Sequence, residues 1–115
     1  MKIKEEFKGK IPVLYLSGNL MGGEDSANLQ ERIKTLINDG FKNIVMDFSN
    51  IKWINSTGLG AIMACLTTAR NNGGDIRLAN ITEKLDSLLN ITKLITVFQT
   101  YKSVDRAVAS FELEN

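Results

Sequence analysis

Asn55-Ser56-Thr57-Gly58-Leu59-Gly60 stands where an extended run gives way to a helix, and that hand-over sets the order of the elements around it. Upstream, Ile44-Val45-Met46-Asp47-Phe48 is almost uninterruptedly apolar, the pattern of a strand covered on both faces. Ser49-Asn50 breaks it, and Ile51-Lys52-Trp53-Ile54 is extended again. Downstream, Leu59, Ile62, Met63 and Leu66 recur at helical spacing and predict a helix over 57–70. Ser56 then falls at the N-cap, where its hydroxyl accepts a hydrogen bond from a first-turn N–H, worth roughly 1 kcal/mol.

The residues after that cap are not those of a helix selected for stability alone. Gly58 and Gly60 lie in the first turn, where each costs about 1 kcal/mol relative to alanine. What they offer is absence of bulk, so that a neighbouring strand or a partner molecule can approach the backbone beside Ser56. From 57 to 69 no residue is charged. Ala61, Ala64, Cys65 and Thr68 form a second stripe of small residues beside the apolar one, and a surface helix normally carries charge there. That stripe has to be covered, by a helix of the same chain or by another protein.

The chain has 115 residues, which suits a single domain over 1–115. Its 14 basic and 13 acidic side chains nearly cancel to +1, without blocks of like charge, so electrostatics exert no pull toward nucleic acid or anionic lipid. No apolar run approaches the roughly 20 residues of a membrane span, and no secretory leader is evident, which predicts a cytoplasmic protein. Cys65 is the one cysteine and forms no internal disulfide; its apolar neighbours predict inert packing rather than a reactive thiol. Histidine is absent, which removes Ser-His-Asp and Cys-His catalysis and the commonest zinc ligand together.

Taken in order, residues 2–7 and 11–16 read as a hairpin around Lys8-Gly9-Lys10, and 18–23 as a loop. Asp25 or Ser26 caps a helix whose inner stripe is Leu29, Ile33, Leu36 and Ile37, and Gly40 stops it. After the central strand and helix, Asn71-Asn72-Gly73-Gly74 makes a turn into a strand over 75–79. Thr82 caps a helix with Leu85, Leu88 and Leu89 inside, 96–101 is strand-like, and Ser103 caps a last helix carrying Val104, Ala107, Val108 and Phe111. The order β-β-α-β-α-β-α-β-α implies an α/β fold with a mixed, mostly parallel sheet of four to five strands, an N-terminal hairpin and about four helices. Sites in such sheets gather at the carboxyl ends of strands, where 55–60 lies. Asp47 reads as a solvated strand end, and Trp53 as a core or rim plug.

That order, with a strand ending Asp47-Phe48-Ser49, a short Trp53-Ile54 extension and then Asn55-Ser56-Thr57-Gly58-Leu59-Gly60, resembles the STAS domain, the sulphate transporter and anti-sigma factor antagonist family. The resemblance covers essentially the whole chain and is to the stand-alone bacterial anti-sigma factor antagonists. It implies phosphorylation at Ser56, with Thr57 as the alternative acceptor, by a partner anti-sigma factor that is a serine kinase. The unphosphorylated antagonist binds that kinase and frees a sigma factor for transcription. The expected partner surface is Asn55, Ser56, Thr57, Gly58, Gly60, Ala61, Ala64 and Cys65 on a monomer or weak dimer.

Two positions depart from the family's usual pattern. Asn55 stands where an aspartate is usual, and Asn19-Leu20-Met21 where the loop is commonly acidic; Asp25 is a nearby carboxylate. Asn55 favours an alternative, a constitutive STAS scaffold subunit of a transporter or signalling complex without a phosphorylation switch. A chain with no histidine, no metal-ligand cluster, no Walker-type loop and no evident pair of catalytic carboxylates is read as no enzyme, with no metal or cofactor.

Overall fold

The computed structural model describes residues 1–113. A hairpin of β1 (Lys2–Lys8) and β2 (Ile11–Leu20) leads into α1 (Gly23–Asn38), β3 (Asn43–Ile54) and α2 (Ser56–Asn71). Next come β4 (Asp75–Ala79), α3 (Glu83–Ile91), a 3-10 turn (Leu94–Thr96), β5 (Thr100–Tyr101) and α4 (Val104–Glu112). The five strands lie in the order β1-β2-β3-β4-β5; the first pair is antiparallel and the other three pairings are parallel.

This topology places the helices. Parallel strands laid down side by side in one direction, each joined by a right-handed crossover, send every crossover helix to the same face of the sheet. Leu14, Leu16, Ile44, Met46 and Phe48 accordingly point into one core with Leu29 and Ile33 of α1, Ile62 and Leu66 of α2, and Leu85 and Leu89 of α3. The alternate residues Val13 and Val45, with Ala79, meet Ala107, Val108 and Phe111 of α4 on the other face. Buried Arg77 lies over the Phe111 ring at 4.1 Å and donates to Ser110 Oγ at 2.8 Å, holding α4 in place.

Three local expectations hold. Gly40, at φ +95°, ends α1 with its N–H on Ile37 O at 3.0 Å and the Phe41 N–H on Leu36 O at 2.9 Å, the paired bonds of a left-handed helix stop. Thr82 accepts from the Leu85 N–H at 3.2 Å, and Ser103 from the Arg106 N–H at 3.1 Å.

Four differ. Residues 18–20 belong to β2 rather than to a loop, because β3 runs far enough to pair with them through Leu20↔Ile54. Ser49-Asn50 does not end a strand: between Tyr15↔Asp47 and Ser17↔Asn50 the register shifts by one residue, so the polar pair is a bulge in a continuous β3. With β2 lengthened, α1 starts at Gly23 without a side-chain cap; Gly22 and Gly23 turn the corner at φ +108° and +62°, and Asp25 and Ser26 lie within the first turns. Of 96–101, only Thr100–Tyr101 forms the strand paired with β4; Thr96 ends the 3-10 turn and Val97 caps it.

Candidate functional site

At the carboxyl edge of the sheet, β3 ends on buried Ile54 and Asn55 caps α2 in extended backbone, φ −124° and ψ −176°. Asn55 Oδ1 accepts from the Gly58 N–H at 2.9 Å, so the cap is Asn55, and Ser56, expected there, is the first helical residue. Asn and Ser cap about equally well, and the position of the last core residue of β3 decides between them. Relieved of capping, the Ser56 side chain is exposed and makes no hydrogen bond among the described residues.

Its neighbours all turn toward the corner between β2 and α1. Asn55 Nδ2 donates to Met21 O at 3.2 Å. Thr57 directs its methyl at Gly22, where a side-chain carbon would come within 2.6 Å of Cγ2. Gly58 backs onto the Leu20 carbonyl and admits no side chain, whereas a Cβ on Gly60 would meet nothing within 4 Å. The two glycines therefore have different duties: Gly58 lets a strand approach, and Gly60 leaves open surface.

Three residues expected at a partner surface lie beneath the chain itself. Gly58 is buried against the Leu20 carbonyl, and Ala61 is 4% exposed and Cys65 1% exposed, with α1 packed on α2 and Cys65 within the main core. Burial pushes the Cys65 thiol up to about 12, against a small opposing pull from Lys34 of α1. Ala64 is partly exposed, with Thr68 Oγ1 donating to its carbonyl at 3.0 Å. The outward strip of α2 is Ser56, Thr57, Gly60 and Thr67, flanked by half-buried Met63 and Ala64, and carries no charge before Arg70.

Two residues beside this strip were not anticipated. Trp53 is 62% exposed rather than a plug, and Met21 is 48% exposed. Regular alternation would put Trp53 on the face of buried Ile51; the second register shift, between Gly18↔Ile51 and Asn19↔Trp53, breaks that alternation and leaves Trp53 outside. Met21 gave no signal, since its place depends on the bond from Asn55, 34 residues away.

Asp47, expected in solvent, is 2% exposed. It accepts from Ser49 Oγ at 2.6 Å and from Asn80 Nδ2 at 2.7 Å, tying the β3 bulge to the turn after β4. Asp25 is engaged by the amino group of Met1 at 3.3 Å. Among the described residues no three His, Cys, Asp or Glu side chains gather as metal ligands. A groove of about 680 Å³ at the β2–β3 bulge has Lys2, Ser17, Asn19, Ser49, Asn50 and Lys52 on its wall and no carboxylate or thiol. No helix among the described residues is long and apolar enough to cross a membrane.

The fold recurs in known proteins. The sequence model of the STAS domain matches residues 2–107. A Thermotoga maritima protein provisionally named an anti-sigma factor antagonist is 28% identical over 72 residues, 63% of this chain and 64% of that one, so the match spans a little under two thirds of the relative. The anti-sigma-B factor antagonist of Staphylococcus aureus is 26% identical over 66 residues, 57% of this chain and 61% of that one. Among solved structures, a Thermotoga maritima protein with the same provisional name superposes with a TM-score of 0.85 at 21% identity, over 94% of this chain and 92% of the other. The phosphorylated form of the Bacillus cell fate determinant SpoIIAA gives 0.76 at 17% identity, over 96% and 99%. At these identities the superpositions establish the shared fold. With the family match running across most of its length, the chain belongs to the STAS domain family.

Proposed function

We propose that the chain is an anti-sigma factor antagonist that binds a partner anti-sigma factor with serine kinase activity, and that phosphorylation of Ser56 releases this partner. The observation that carries the reading is the division of roles in the first turn of α2. Asn55 and Gly58 face their own chain, exposed Thr57 rests its methyl toward Gly22, and the Ser56 hydroxyl stands in solvent. The names of the Thermotoga and Staphylococcus relatives, and the phosphorylated form in which SpoIIAA was solved, support it.

A phosphate on Ser56 adds about −1.5 to −2 charges. The first N–H groups of α2 have no helical partner and the helix dipole favours an anion there, so the domain stays folded. The effect falls on the complex. Its contact surface is Asn55, Ser56, Thr57, Gly60 and Ala64, joined by Met21 and Trp53. Sealing a dianion there without a counter-charge costs several kcal/mol, and each 1.4 kcal/mol is tenfold in affinity. Thr57 is the poorer acceptor because its side chain is packed on Gly22. The role is that of a single cytoplasmic domain, with the chemistry supplied by the kinase.

The test is incubation with the cognate anti-sigma kinase and magnesium ATP, followed by mass spectrometry. One phosphate, at Ser56, is expected; no phosphate, or phosphate elsewhere, overturns the reading. A constitutive scaffold is the second reading, favoured by Asn55, whose two polar ends are both engaged within the chain so that no carboxylate adjoins Ser56. A scaffold retains its partner after Ser56→Asp, and the switch does not.

A further inference from the structure

The corner between β2 and α1 is held against the first turn of α2 at three successive points. Leu20 O receives Gly58, Gly22 receives the Thr57 methyl, and Met21 O accepts from Asn55 Nδ2 at 3.2 Å. The first two are packing contacts that resist compression; beyond the Leu20↔Ile54 strand pairing at the start of the corner, the third is the bond that ties Met21 itself to α2. Met21, 48% exposed, rides on this corner beside the exposed Ser56.

We propose that Asn55 is the positioning residue of the switch: its amide straps the Met21 corner to α2 and so fixes where Met21 stands relative to the Ser56 hydroxyl when the kinase docks. The functional half of this rests on the Ser56 reading above; the strap does not. In this chain the amide serves both groups at once, supplying an acceptor for the Gly58 N–H and a donor for the Met21 carbonyl. A carboxylate keeps the cap and turns an oxygen toward the Met21 carbonyl, with no proton to share. A serine hydroxyl keeps the cap and is too short to bridge both groups. Asp, Ser and Asn are near-equal N-caps, so either substitution leaves α2 intact while cutting the strap. Order of the corner and stability of the fold then separate, which a purely structural cap does not allow.

The experiment is backbone relaxation on the full chain with Asn55→Asp and Asn55→Ser. Order parameters of Met21, Gly22 and Gly23 are expected near about 0.85 in the parent and below about 0.6 in both variants, with the thermal midpoint unchanged. With the cognate anti-sigma kinase, Asn55→Ser is expected to raise KM about fivefold and keep kcat within about twofold; Asn55→Asp, which also sets a carboxylate beside Ser56, is read by relaxation. The inference is overturned if either variant keeps the corner ordered, since a charge effect alone would spare Asn55→Ser. It is also overturned if the corner loosens and KM does not move. The relaxation measurement involves no kinase, so a chain that takes no phosphate on Ser56 sinks the switch and leaves the strap to be decided by relaxation alone.

Discussion

Gly58 backs onto the Leu20 carbonyl so closely that a side-chain carbon would overlap the oxygen, whereas two residues later Gly60 faces open space. Sequence treats these glycines alike and structure does not. Gly58→Ala is expected to lower stability by about 1–3 kcal/mol through overpacking against backbone, despite the roughly 1 kcal/mol that alanine adds to a helix interior. Gly60→Ala has the helix gain and no clash, so its urea midpoint is expected to rise, while its affinity for the partner falls because the methyl group stands on the contact surface.

Ser56→Asp separates folding from binding. A carboxylate in the first turn interacts favourably with the helix dipole by about 0.3–1 kcal/mol, so urea denaturation is expected to show stability equal to or slightly above the parent. Titration calorimetry with the anti-sigma factor is expected to show affinity reduced at least about tenfold. Ser56→Ala should bind like the parent and accept no phosphate.

Trp53 is the one tryptophan of the chain and is mostly exposed. Truncation to alanine is therefore expected to change stability by less than about 0.5 kcal/mol, yet to weaken partner binding by more than about 1 kcal/mol, as for an aromatic anchor at an interface. Its fluorescence offers a direct check. Emission should be that of a hydrated indole in the free chain and should shift to the blue in the complex.

Cys65 gives the alkaline limb of stability. Its thiol, ordinarily near 9.0, is pushed up to about 12 by burial in the folded chain. Between those values the folded state holds a proton that the unfolded state has released. The contribution is thus complete below pH 9.0 and is lost as pH rises toward about 12, at up to about 1.4 kcal/mol per pH unit. Tyr15, also raised chiefly by burial and next by Glu6, has the same sign. Urea midpoints at about pH 8 and about pH 10.5 should fall further apart in the parent than in Cys65→Ala, and a thiol reagent should label the parent only as fast as it unfolds.

The features legible in the sequence are those fixed within one turn of chain: the Gly40 stop and the Thr82 and Ser103 caps. Those it hid depend on pairing at a distance. Ser49-Asn50 looks like a strand end until β2 is laid beside it and makes it a bulge. Asp47 looks solvated until Asn80, 33 residues on, donates to it. At the candidate site, the freedom of the Ser56 side chain was not legible, because it follows from Asn55 taking the cap and from a corner that 55, 57 and 58 all grip. The small-residue stripe likewise left two possible covers, and the structure divides it: Ala61 and Cys65 are buried within the chain, and Ala64 and Thr68 stay partly exposed.

The grip on that corner bears on how the serine is recognised. Many enzymes that modify a hydroxyl draw the surrounding chain into a groove as a straight thread. Here the residues on either side are pinned to a turn from a distant part of the chain and cannot be drawn out without local melting. On the proposed switch, the kinase has to accept a finished contour, and a short synthetic peptide spanning Ser56 is expected to be ignored by a kinase that phosphorylates the intact protein.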